Sequence, residues 1–243
     1  MSTVVEERGC PDCKYTGFIH VQQGGAVGVK SCHCVTDRIA RKRQFHAGEG
    51  AWPLPENLRQ ATLKSFLLSG VSTSVRFAFN AAQRYAERPS RGILFAGAPG
   101  TGKSHLAAAI LQAVNVEAHF VGVPMLMRAL RDTFNASGRS ETDIIDELVR
   151  VPLLVLDDIG AERSNGYAEE TLYLIIEQRS AAKRPLIFTT NKLVSETSGP
   201  AQLQEYLSER THSRVKGLCW NNDTGQLNFF QMQGADRRYG KHQ

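Results

Sequence analysis

Eight residues, Gly97-Ala98-Pro99-Gly100-Thr101-Gly102-Lys103-Ser104, constrain this 243-residue chain more than any others. Gly97 and Gly102 bracket four residues and are followed by a lysine and a hydroxyl residue, the pattern G-x-x-x-x-G-K-[ST]. Gly and Pro let a backbone wrap around a phosphate with its N–H groups turned inward. Lys103 then supplies a point charge for the β- and γ-phosphates, and Ser104 an oxygen for Mg²⁺. The flanks fit. Gly92 to Ala96 is a short apolar run that reads as a buried strand. His105 to Leu111 reads as a helix whose N-terminal dipole favours an anion. A nucleoside triphosphate, ATP, is the expected ligand, held by Gly97, Pro99, Gly100, Thr101, Gly102, Lys103, Ser104 and His105.

Strand-like and helix-like runs continue to alternate beyond the loop. Residues 117–121, 153–156 and 185–189 read as further strands, with helices from Met125 to Phe134 and Glu169 to Arg179. Such β-α-β alternation predicts an α/β fold, a parallel sheet sandwiched by helices. The third strand runs straight into Asp157-Asp158, which puts carboxylates at the carboxyl edge of the sheet, beside the phosphate loop. Asp157 is expected to hold Mg²⁺ and Asp158 to polarise an attacking water. The fourth strand ends Thr189-Thr190-Asn191, placing the Asn191 amide where it meets that water or the γ-phosphate. Arg210 and Arg214, four residues apart, share one side of a predicted helix. Either is suited to reach a neighbouring subunit's γ-phosphate as an arginine finger.

Four of the five cysteines fall within the first 34 residues. Cys10-Pro11-Asp12-Cys13 and Cys32-His33-Cys34 form two close pairs around a hairpin-like insert. That arrangement predicts one tetrahedral Zn²⁺ held by Cys10, Cys13, Cys32 and Cys34, with His20 or His33 as alternative ligands. So small a segment cannot bury enough surface to fold alone, and metal would have to hold it. Asp37 to Arg43 reads as a basic helix suited to a phosphate backbone or an acidic protein face. The Gly- and Pro-rich stretch from Gly48 to Pro55 marks a boundary, giving a metal module over 1–50 and an ATPase over 51–243. A net charge of +5 permits a nucleic-acid partner without requiring one. No run of about 18 apolar residues suits a membrane helix, and residues 1–8 lack a signal pattern. A cytoplasmic protein is expected.

The order of these motifs resembles the AAA+ ATPases, and within them the DnaC/DnaI-type loaders of the bacterial replicative helicase. The resemblance spans roughly residues 53–217. It rests on Gly100 to Leu106, Leu154 to Glu162, Arg184-Pro185, Thr190-Asn191, Glu209-Arg210 and Ser213-Arg214. Pro53, Ala61-Thr62-Leu63 and Phe66 resemble the lead-in that packs near the adenine. The cysteine-rich segment resembles a zinc-binding module that contacts the helicase.

The resemblance implies a switch in DNA replication initiation at the primosome. ATP would join subunits and favour grip on the hexameric helicase and single-stranded DNA, and hydrolysis would release them. It makes Asn191 the first sensor and Arg214 the finger, with Arg210 in reserve. A second sensor arginine is expected at Arg237 or Arg238. The alternative is an IstB-type transposition helper ATPase, which shares most core motifs, though such helpers usually begin with helices instead of a cysteine module.

Overall fold

The computed structural model describes residues 18–23, 26–31, 52–114, 116–133, 139–160, 166–193 and 203–237. The chain divides into two compact units, Met1–Gly50 and Ala51–Gln243. In the first, β1 (Phe18–Gln23) and β2 (Ala26–Ser31) pair antiparallel, from Phe18↔Ser31 to Gln23↔Ala26. Two residues, Gly24 and Gly25, separate the strands in the sequence. Cys10, Cys13, Cys32, Cys34, His33 and the basic segment 37–43 lie outside the described residues.

The second unit is built on a five-stranded sheet. Its strands are β3 (Gly92–Gly97), β4 (Ala118–Gly122), β5 (Leu153–Asp157), β6 (Leu186–Thr190) and β9 (Phe229–Met232). They lie in the order β4-β5-β6-β3-β9, and every neighbouring pair is parallel. The apolar run of β3 shows why the strands lack polar alternation. Leu94 and Ala96 enter one core cluster while Ile93 and Phe95 enter the other, so the strand is covered on both faces.

The helices are α1 (Thr73–Glu87), α2 (Lys103–Ala113), α3 (Val123–Thr133), α4 (Glu141–Arg150), α5 (Gly166–Ala181) and α6 (Glu209–Cys219). α1 and α2 fill one face of the sheet. α3 to α6 fill the other. Three Ser residues start helices by accepting a backbone N–H: Ser72 for α1, Ser140 for α4 and Ser208 for α6. After α6 a small antiparallel ribbon, β7 (Trp220–Asn221) with β8 (Gln226–Leu227), leads into β9.

The expected parallel sheet under helices is present, and it carries a fifth strand beyond the four anticipated. β9 joins the edge beside β3, from Leu94↔Phe229 to Gly97↔Met232. The chain after α6 thus completes the sheet before it reaches the phosphate loop.

The face covered by α3 to α6 contains a fully buried cation, Arg179, near the end of α5. Its guanidinium donates to five backbone carbonyls: Leu148 (2.7 Å), Val149 (3.3 Å), Val151 (2.7 Å), Pro152 (3.3 Å) and Pro185 (2.7 Å). The first two are carbonyls of the last turn of α4, which have no intrahelical partner. The others belong to the turns that lead into β5 and β6. Burial, and then the charge of Arg184, push its pKa down to about 9, which leaves it a cation at neutral pH.

Candidate nucleotide site

The phosphate loop leaves β3 and starts α2, as its sequence requires. Gly97, Gly100 and Gly102 have φ of 141°, 79° and 99°. These are conformations that side chains resist. Space forbids a side chain as well. A Cβ at Gly97 would collide with the Met232 carbonyl, and one at Gly100 with the Asp236 carboxylate. At Gly102 it would lie 2.7 Å from Phe66 Cε2. Two separate stretches of the chain, the lead-in at Phe66 and the end of β9 with the residues after it, therefore press on the loop from outside. Within it, Lys103 Nζ donates to Gly97 O (2.8 Å) and Ala98 O (2.9 Å), and Thr101 Oγ1 to Ala98 O (2.9 Å).

Unlike the three helices begun by serine, α2 begins at Gly102, which brings no side-chain oxygen to the first-turn N–H groups. Those donors suit an anionic ligand, and the helix dipole adds to the attraction. The left-handed glycines and the buried lysine make the loop fit a polyphosphate. A serine hydroxyl and an aspartate carboxylate, Ser104 and Asp157, are hard oxygen donors that fit Mg²⁺.

The acidic pair stands at the carboxyl end of β5, one strand removed from β3 across β6. Thr189, on the adjacent strand, ties its two members together. Its hydroxyl donates to Asp157 Oδ1 (2.6 Å) and accepts from the Asp158 backbone N–H (2.9 Å). Asn191 Nδ2 donates to Asp158 Oδ1 (2.7 Å). Thr190 Oγ1 donates to Ile159 O (2.7 Å), which fixes the next residue of the turn. Asp158 takes a left-handed φ of 64°, a conformation uncommon for a non-glycine residue and held here by these bonds. Partial burial and the neighbouring Asp157 raise its pKa, while Lys103 and Lys192 pull it back.

The lead-in and the segment after β9 close the site from the side. Phe66 stacks on Phe79 with centroids 5.5 Å apart and meets the His105 ring edge-on at 5.2 Å. Arg237 lies over the Phe66 ring at 4.3 Å, its backbone N–H donates to Gly100 O (3.0 Å), and its guanidinium donates to Leu67 O. His105 faces the lead-in, with Nε2 3.1 Å from Thr62 O and 3.3 Å from Ser65 Oγ. Burial lowers its pKa, so it is neutral at pH 7.

The structure thus brings the phosphate loop together with Arg237, and the acidic pair together with Asn191. It places Arg210 and Arg214 on α6 against α5, where the Arg210 guanidinium lies over the Tyr173 ring and Arg214 pairs with Glu177. Arg238 lies outside the described residues. Thr189 escaped the sequence reading as a bridging residue. Its only signal there is a hydroxyl residue at the end of an apolar strand.

Comparison with known proteins gives a consistent result. The signature of the family described as IstB-like ATP binding protein matches residues 80–210. The replicative helicase loader DnaC of Escherichia coli (strain K12) is 34% identical over 145 residues, which is 57% of this chain and 57% of that protein. The chain therefore spans little more than half the length of that relative. Among solved structures, the DnaC helicase loader superposes with a TM-score of 0.62 at 24% identity, covering 74% of this chain and 100% of that one. DnaI does so with a TM-score of 0.58 at 24% identity, covering 76% and 94%. These likenesses show the fold, a parallel sheet sandwiched by helices.

Proposed function

Because the chain belongs to the IstB-like ATP binding family, we propose that it is an ATP-hydrolysing switch that loads the replicative DNA helicase onto single-stranded DNA. The observation that carries this is the 34% identity over 145 residues to a replicative helicase loader. The site supports the chemistry. The loop from Gly97 to Ser104 cradles the phosphates, with Lys103 exchanging its bonds to loop carbonyls for phosphate oxygens. Ser104 and Asp157 would hold Mg²⁺, which neutralises charge on the β- and γ-phosphates. Asp158 orients the attacking water and Asn191 fixes Asp158. Arg237, already against the loop, is the second sensor. Arg214 acts on the triphosphate of a neighbouring copy, so turnover requires self-association.

For residues 1–50 we propose a zinc module that contacts the helicase. The β1–β2 hairpin supports this, because it sets Phe18 opposite Ser31, so the first residue of one strand lies beside the last of the other, and the two cysteine pairs flank those residues in the sequence. About one zinc per chain is expected by atomic absorption, and Cys10→Ser should lose it. Full occupancy in that variant would remove the four-cysteine site. The remaining partners and place follow from the same reading: single-stranded DNA, other copies of the chain, and the cytoplasm. Among the described residues no helix is long and apolar enough to cross a membrane.

The direct test is size-exclusion chromatography with the host's replicative helicase. Co-elution that depends on ATP is the expected result. Filaments on double-stranded DNA with no helicase complex would favour the transposition-helper reading instead.

A further inference from the structure

One side of α5 carries Glu169, Tyr173 and Glu177, spaced four residues apart and so aligned along the helix. Each of them meets α6 or its cap. Glu169 Oε1 accepts the backbone N–H of Ser208, the residue that starts α6. The Arg210 guanidinium lies 4.3 Å from the centroid of the Tyr173 ring. Arg214 Nε pairs with Glu177 Oε2. The three contacts follow the same order along both helices: 169 with 208, 173 with 210, 177 with 214.

Packing of the two helices does not require this ladder. Leu172, Ile175 and Ile176 of α5 and Thr211, Val215 and Leu218 of α6 are already buried. Exposed ion pairs contribute little to stability, and the Arg214 side chain is 49% exposed. Two arginines four residues apart repel one another on an isolated helix. The ladder answers that repulsion with one carboxylate and one aromatic face. Both guanidiniums are thereby held at the protein surface in defined directions. Arginine has ample rotamer freedom, and a defined direction is what reaching a phosphate in another molecule demands.

We propose that Glu177 and Tyr173 are positioning residues, which aim Arg214 and Arg210 at a triphosphate bound by a second copy of this chain, while Glu169 fixes the start of α6. This rests on the reading that the α6 arginines act across a subunit contact. α5 also follows the acidic pair in the chain, so one helix links a subunit's own site to the arginines it presents to its neighbour.

The test is steady-state ATP hydrolysis by the full chain, with protein concentration varied. Glu177→Gln keeps the size of the side chain and should lower kcat about tenfold, a fraction of what a complete arginine finger supplies. KM for ATP and the melting temperature should stay near wild type. Tyr173→Leu should lower kcat about threefold. Mixing Glu177→Gln with Asp158→Asn should restore turnover above that of either alone, since the first keeps its own site and the second keeps its arginines. Wild-type kcat in both α5 variants overturns the proposal, as does a loss that mixing fails to restore. Undiminished turnover in Arg214→Ala, or turnover per subunit independent of protein concentration, defeats instead the reading on which it rests.

Discussion

Replacing Lys103 with alanine is expected to weaken ATP binding about ten- to a hundredfold and to remove turnover, with the fold left intact. The affinity loss follows from deleting a charge-assisted hydrogen bond to phosphate, about 1.5–3 kcal/mol. Turnover suffers further because the same charge neutralises the transferring phosphoryl group. The fold should survive because the loop has other anchors. Ala98 O keeps the Thr101 hydroxyl, Gly100 O keeps the Arg237 N–H, and the loop glycines stay wedged against Met232, Asp236 and Phe66. Titration with a fluorescent ATP analogue reads the first effect and a thermal melt the second. A variant that melts normally and binds ATP as tightly as wild type would refute the phosphate-loop assignment.

The largest effect on stability is expected at Arg179. Arg179→Met nearly preserves volume but removes the guanidinium that five carbonyls now share; Val149 O keeps Arg184 Nη1, and Pro152 O and Pro185 O are only partly buried. Each buried polar group without a partner costs about 1–3 kcal/mol, and the retained Arg184 bond and water at the partly buried carbonyls offset that only in part. A net loss of about 3–5 kcal/mol is expected. In a chain of this size that lowers the melting temperature by roughly 10 °C. Arg179→Lys keeps the charge but cannot span the fork, and should fall between. The damage should begin locally, because the Arg179 carbonyls end α4 and start β5 and β6. A melting temperature within about 2 °C of wild type for the Met variant would show that the cluster contributes little.

These two residues also mark the limits of reading the sequence. Lys103 was legible because the loop carbonyls it bonds, those of Gly97 and Ala98, lie within six positions of it, and glycine spacing alone specifies the loop. The acidic pair was legible for a similar reason, since an apolar strand that ends in two acids has few meanings beside such a loop. Arg179 was not legible. A lone arginine near a helix end reads as solvated, and only the arrival of α4, β5 and β6 turns it into a hub. β9 was hidden because Phe229–Met232 is four residues long, too short for a periodicity. The cluster of Phe66, His105 and Arg237 was legible in its parts, but not as a unit. Arg237 donates to Leu67 O across 170 positions, and no local pattern foretells that contact.

The late position of β9 in the chain sets an order on biosynthesis. Met232, Asp236 and Arg237 form the outer wall of a loop that began at Gly97. A ribosome therefore completes β3, β6 and the acidic pair well before it makes the residues that press the loop into shape. Pairing over so many positions also forms slowly. A nascent chain carries its phosphate-binding sequence without the wall behind it, and the wall arrives only after α6 and its arginines have been translated. The loop and its wall are thus made far apart in time, whereas the α6 arginines and the wall are made in close succession. A polypeptide lacking residues 229–237 would carry the phosphate loop, the acidic pair and Asn191, and still lack the wall that presses the loop into shape.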